Sequence, residues 1–458
     1  MFLLVRVSQL LRSLERSLFD PVIKARLKIL LINAIGGALI ALGPVIVTPF
    51  YISHLDIAGY AHMQRFLMAH IFVIASVGTV LSSFALRELI DPRLNNSVSI
   101  FSRFLELVGL AFLVDFVLIL LVLIACALAF AISNSISLVW QYEDILLGIS
   151  SGLLASWLYL ISGYYLAKAN ALANRLCIAS PIVLNLIGLI LLQENVSWII
   201  LVKWFVFSHF LVLAGLIVLN FKSAKKIAGK LVGVKFNYLK NIGFFLALCA
   251  YVLSGIAGDN YYRFIAAVEL TDTDFSSVST TLMLAGIVAM VVSVLNLTAS
   301  PIFYRHADEW IENGIWERCL IGGFIVVGVL CLALIGVRPF IFDYFSSKGL
   351  KLSVELFSSA VAILSVTSIT WVWVANIAFY QKAKKTIIFA GASGFIAVVI
   401  TVQLLLASNS FNENIIYAFA VAQILPIIIT IALNETVRKK FPYFKVGMFI
   451  AMVSILAL

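Results

Sequence analysis

Six ionisable residues, Asp115, Lys203, His209, Asp259, Arg263 and Arg338, stand inside apolar runs of the length that crosses a bilayer. A charge at the centre of such a span costs about 2.5–3.5 kcal/mol on insertion scales, so those that persist face a cavity or a partner. Asp259 and Arg263 are four apart, so on a helix they share a face, where they either neutralise each other or form an intramembrane ionic site. Asp115 has no partner in its own stretch and is the candidate relay for a coupling ion, a proton or sodium. His209 sits among Phe207, Ser208 and Phe210, and as a lone histidine it is expected to be hydrogen-bonded within a bundle. Lys203 and Arg338 lie near span ends, where their charged heads can snorkel to the interface. The amides Asn33, Asn185, Asn296, Asn376, Gln403 and Gln423 are expected to bond across helices, at ~0.6 kcal/mol each.

The elements that must position these groups are membrane helices. The chain has 458 residues, 63% of them hydrophobic and only 12% charged, too apolar for soluble domains. Runs of about 20 residues, the length that spans a hydrocarbon core of ~30 Å, recur twelve times. They fall at residues 27–52, 66–84, 104–132, 145–167, 176–192 and 199–219, then at 242–266, 276–300, 320–342, 354–380, 386–407 and 415–433. The expected organisation is a basic amphipathic segment over 1–26, six spans over 27–219, a basic linker over 220–240, six spans over 241–433, and a tail over 434–458. Pro44 and Pro49 should bend the first span. The apolar tail 445–458 is short of a full crossing, leaving an interfacial segment and a partly inserted hairpin both open.

Charge tests that layout, because lysine and arginine concentrate in cytoplasmic loops. Of 32 Lys and Arg, 26 fall on or at the edge of segments that the alternation assigns to the cytoplasm. The opposite loops hold three, Arg65, Lys348 and Lys351. Both termini and the linker are therefore expected on the cytoplasmic side, in an inner membrane, with no cleaved signal because Arg6, Arg12 and Arg16 interrupt the first apolar run.

The chain carries no phosphate-binding GxxxxGK[ST] loop and no HExxH or CxxC metal spacing. The five cysteines show no disulfide pattern. An enzyme is not expected: a membrane glycosyltransferase needs a sizeable acid-rich loop, and the longest loops here are about 20 residues. No cofactor and no nucleic-acid partner are expected. Transport by helices moving against one another is what remains.

Three stretches, TPFYISHLDIAGYAHMQ (48–64), VLSSFALREL (80–89) and DNYYRFIAAVELTDTDFSS (259–277) with Pro301 closing the next helix, resemble the polysaccharide transporters of the MOP superfamily. That group includes Wzx-type O-antigen flippases, lipid II flippases and MATE drug exporters. The chain departs from the family pattern at Leu55-Asp56 and at Asp274-Phe275. The resemblance implies an all-α membrane protein of twelve helices in two six-helix, MATE-like lobes around a central cavity. It implies as cargo an oligosaccharide linked to undecaprenyl diphosphate, flipped from the cytoplasmic to the outer leaflet among membrane lipids and beside a polysaccharide polymerase. Arg263, oriented by Asp259, is then the expected diphosphate ligand, with Lys203 a further candidate. A cation-coupled exporter of the MATE type is the alternative.

Overall fold

The computed structural model describes residues 47–78, 103–109, 111–113, 115–116, 143–167, 170–192, 196–228 and 260–457, with single residues at 43, 81 and 89. Asp259, most of the first span and residues 229–240 of the basic linker lie outside these. The described residues form helices and no strand. Residues 47–54 are helical and lead into α1 (Ile57–Val73), which continues through one π-helical turn, Ile74–Gly78. Then come α2 (Glu143–Ala167), α3 (Ala171–Leu191) and α4 (Trp198–Ala228). After a helical segment at residues 260–269 follow α5 (Asp272–Ala285), α6 (Ile287–Arg305), the short α7 (Ala307–Glu312) and α8 (Ile315–Ser347). The chain closes with α9 (Val354–Tyr380), α10 (Lys384–Ala407), α11 (Phe411–Leu433), α12 (Glu435–Lys440) and α13 (Tyr443–Ala457).

Eight of the described helical stretches are long and apolar enough to cross a membrane, and each coincides with an expected span. The protein is thus a multi-pass, all-helical membrane protein. The helices are held together by close packing rather than by amphipathic stripes, as in any bundle whose outside is also apolar. Where α1 crosses α2, a Cβ on Gly148 would lie 2.4 Å from the Phe66 carbonyl oxygen, and one on Gly152 would lie 2.5 Å from Val73 Cβ. Only glycine permits that approach of the two backbones.

Three boundaries differ from the sequence reading. The expected loop at 53–65 is helical from Ile57, because Asp56 caps the helix by accepting the Gly59 N–H on Oδ1 at 2.8 Å. Arg65 therefore sits on a helix and not in an open loop. At the other end of the first half, α4 runs on through Lys222, Lys225 and Lys226 to Ala228, so the basic segment begins as helix. The tail is a helix of 15 residues, α13. Lys445 Nζ donates to Glu317 Oε1 at 2.5 Å, the Phe449 ring lies 4.3 Å from Phe324, and the Met452 methyl reaches to 3.6 Å of the position a Gly328 Cβ would take. The tail thus runs alongside α8 in the same direction, and at about 1.5 Å per residue it is too short to cross.

Candidate functional site

Helix α1 is the element on which the polar chemistry of the bundle converges, and its two faces do different things. Tyr60, Gln64 and Arg65 face α5, from the second half of the chain. Gln64 Nε2 donates to Tyr60 Oη at 2.6 Å, Tyr60 Oη and Thr280 Oγ1 share a hydrogen bond of 2.8 Å, and Ser279 Oγ donates to Gln64 Oε1 at 3.0 Å. Tyr60, Gln64 and Thr280 are buried. Beside this network Arg65 Nη2 donates to Asp272 Oδ1 at 2.6 Å, with its guanidinium 5.3 Å from the Phe275 ring centre. The preceding segment adds Thr48, which donates to Met283 Sδ at 3.5 Å, and the Pro49 carbonyl, which accepts from Tyr344 Oη at 3.4 Å. Deeper along α1, Phe72 meets Phe264 edge-on at 5.7 Å. These contacts form a seam that ties the two halves of the chain together, with its polar part at the end where α1 and α5 begin.

The other face carries His62, Phe66 and His70 at i, i+4 and i+8, one stripe of a helix. All three meet α4. His62 stacks on Trp198 at 4.9 Å while its Nδ1 bonds Asp144 Oδ2 of α2 at 2.9 Å. Phe66 meets Phe205 edge-on at 5.3 Å. His70 lies 4.8 Å from Phe205 and 5.2 Å from His209, ring centre to ring centre. His209 is therefore not a lone histidine. Its Nδ1 bonds the Phe205 carbonyl at 2.9 Å, whereas His70 Nδ1 is buried with no hydrogen-bond partner.

The residues expected from the sequence are placed in separate surroundings. Asp115 is buried, and its partner is remote in sequence: Trp157 Nε1 donates to Oδ2 at 2.8 Å, leaving Oδ1 without a hydrogen bond. Lys203 is on the exposed face of α4, as a snorkelling side chain would be. Arg263 is half-buried, its Nε donating to Tyr262 Oη at 3.0 Å and its guanidinium 5.7 Å from the Tyr262 ring centre. Arg338 does not only reach outward, because Nη1 donates to Ser358 Oγ of α9 at 2.9 Å. Four of the six amides bond across helices as expected: Asn185 donates to Tyr51 Oη at 2.8 Å, Asn376 to Asn296 Oδ1 at 2.8 Å, and Gln403 to Tyr261 Oη at 3.1 Å, while Asn33 lies outside the described residues. Sequence reasoning missed Tyr60, Gln64 and His70. The signal for His70 was present in the His62-Phe66-His70 spacing.

No protein-family model matches the chain, and no curated protein matches it. Solved structures do. The chain is similar to the MATE multidrug transporter DinF-BH, with a TM-score of 0.61 and 16% identity over 91% of this chain and 95% of that one. It is similar to the Vibrio cholerae MATE transporter VcmN, with a TM-score of 0.56 and 14% identity over 93% and 97% of the two chains. A multidrug resistance MATE family transporter of the MOP superfamily, in an outward-facing conformation, aligns with a TM-score of 0.50 and 13% identity over 93% and 96%. The fold is that of a multi-pass helical membrane protein. More narrowly it is the MATE fold.

Proposed function

We propose that this protein is an inner-membrane flippase that moves an oligosaccharide linked to undecaprenyl diphosphate from the cytoplasmic to the outer leaflet by alternating access of two six-helix lobes. The observation that carries the transport mechanism is the α1–α5 seam, where hydrogen bonds and one ion pair join residues from the two halves of the chain. Such contacts can be broken and remade as a unit, which is what a gate at one mouth of a cavity requires. In this reading the seam faces outward and is closed, and the basic linker and both termini are cytoplasmic. The diphosphate cargo is supported by Arg263, a cation in the helical segment 260–269, bordered by Tyr261 and Tyr262. A guanidinium offers phosphate oxygens two parallel hydrogen bonds. Asp259 orients Arg263 while the cavity is empty, Lys203 adds positive charge near the outer interface, and Asp115 carries a proton or sodium ion if transport is coupled. A polysaccharide polymerase on the outer face consumes the flipped unit.

The fold is equally that of cation-coupled drug exporters, so the cargo is decided by assay. Proteoliposomes containing the protein should move a fluorescent undecaprenyl-diphosphate disaccharide from a dithionite-protected to a dithionite-accessible leaflet, and should not pump ethidium out under an imposed ion gradient. Ethidium efflux without lipid flipping would replace the cargo. Bridging Gln64→Cys to Ser279→Cys with a short bis-thiosulfonate reagent should stop either activity and reduction should restore it. Full transport with the bridge in place would remove the seam as a gate.

A further inference from the structure

We propose that His70 and His209 form a proton-binding site, holding a single proton between α1 and α4, and that its occupancy biases the α1–α5 seam. The second part rests on the transport reading above. Both imidazoles are buried, at 4% and 7% exposure, His70 in the last turn of α1 and His209 in the middle of α4. Their ring centres are 5.2 Å apart at 70°. The Phe205 carbonyl accepts from His209 Nδ1, which fixes that proton there and leaves the Nε2 lone pair to bind another. His70 Nδ1 makes no hydrogen bond at all, although it is buried beyond the reach of solvent. A buried polar nitrogen with no partner in a close-packed bundle is a cost that a purely structural residue avoids.

The surroundings suit one cation and reject two. Phe66 stacks along His70 at 6.1 Å and Phe205 meets it edge-on at 4.8 Å, so aromatic rings surround the imidazole on the α1 and α4 sides. Among the described residues no carboxylate is placed to neutralise a full imidazolium pair. On α2 the acids Glu143 and Asp144 are in the first turn, with Asp144 taken by His62. On α5 Asp272 and Asp274 are in the first turn, with Asp272 taken by Arg65. Asp115 is bound to Trp157, Lys203 on α4 itself is exposed, and α3, packed on α4, brings Arg175 in its first turns and Cys177 two residues on. With two rings this close, the first proton lowers the affinity for a second on the order of 100-fold.

The link to the seam is α1 itself. One side of this helix carries His70 and the other Tyr60 and Gln64, and the backbone passes into a π-helical turn directly below His70. Such turns inside α-helices are frequent at functional sites. Charging His70 changes what its face of α1 prefers to pack against, and the seam on the opposite face feels any shift of the helix.

The test uses the full-length protein in lipid nanodiscs with histidine labelled at Cε1, and the chain has only five histidines. The resonances are assigned with His70→Gln and His209→Gln. The proposal expects the two signals to move together in one transition worth one proton, and either variant to give the remaining histidine a full-sized step of its own. Signals that stay fixed between about pH 4 and 9, or two independent full steps, overturn the site. A second arm follows Ser279→Cys, in an otherwise cysteine-free chain, reacting with an impermeant maleimide and normalised to an exposed control thiol. Its rate should change severalfold with pH and become flat in His70→Gln. Equal pH dependence in both backgrounds refutes the coupling. Complete protection at every pH removes the coupling and the alternating-access reading together, while the titration still decides the proton site.

Discussion

Arg65 and Asp272, from opposite halves of the chain, meet at 2.6 Å, and the bond lies at the rim of the buried Tyr60–Gln64–Thr280 network rather than inside it. The Asp272 side chain is 43% exposed against 15% for Arg65, so water screens the pair and its contribution to holding the two halves together is modest. An ion pair this exposed contributes up to about 1 kcal/mol, which limits the change in the open population to roughly fivefold. Arg65→Ala and Asp272→Ala should each raise outside labelling of Ser279→Cys within that limit, and the exchange Arg65→Asp with Asp272→Arg should recover part of it. Labelling that falls on removal of either charge would mean that the pair opposes closure.

Packing between α1 and α2 makes a separate prediction about stability. Gly148→Ala puts a methyl group 2.4 Å from the Phe66 carbonyl oxygen and 2.7 Å from Ala69 Cβ, and neither neighbour is the end of a flexible side chain. Backbone displacement of this kind costs about 1–3 kcal/mol, more than the helix propensity gained. The thermal midpoint in detergent should drop by several degrees. Gly215→Ala is the control, since nothing lies within 4 Å of its added carbon.

The spans were legible because the bilayer fixes helix length and the core needs no polar pattern. The start of α1 was not. His54, Asp56, His62, Gln64 and Arg65 read as a polar loop, although Asp56 is an N-cap, Gln64 and Arg65 serve the seam, and His62 bonds Asp144 on the other face. Asp115 and His209 were found as buried ionisable groups, but their partners Trp157 and His70 are on other helices, and no local spacing encodes a contact between helices.

Asp115→Asn separates the acid from the histidine pair. The amide oxygen still accepts from Trp157 Nε1, so packing around the Phe112 and Trp157 rings, 4.5 Å apart, is retained while the charge is lost. If Asp115 carries the coupling ion, transport driven by an ion gradient should slow at least tenfold, and downhill exchange of the same lipid should persist. Equal rates in both assays would leave Asp115 a structural partner of Trp157.

Arg263 is where the cargo assignment is most exposed to failure. Its guanidinium lies against the Tyr262 hydroxyl and ring, so the side chain is held in a preferred orientation without substrate. Arg263→Ala should abolish flipping of the undecaprenyl-diphosphate probe at unchanged protein level, and Arg263→Lys should restore it only partly, because an ammonium is a point charge and not a planar fork. If the arginine merely neutralises Asp259, then Asp259→Asn combined with Arg263→Gln leaves neither charge alone in the membrane and should flip at the wild-type rate. A diphosphate ligand predicts the reverse, since the double variant has lost the group that binds phosphate. An inactive double variant whose thermal midpoint matches the wild type would assign Arg263 to the cargo.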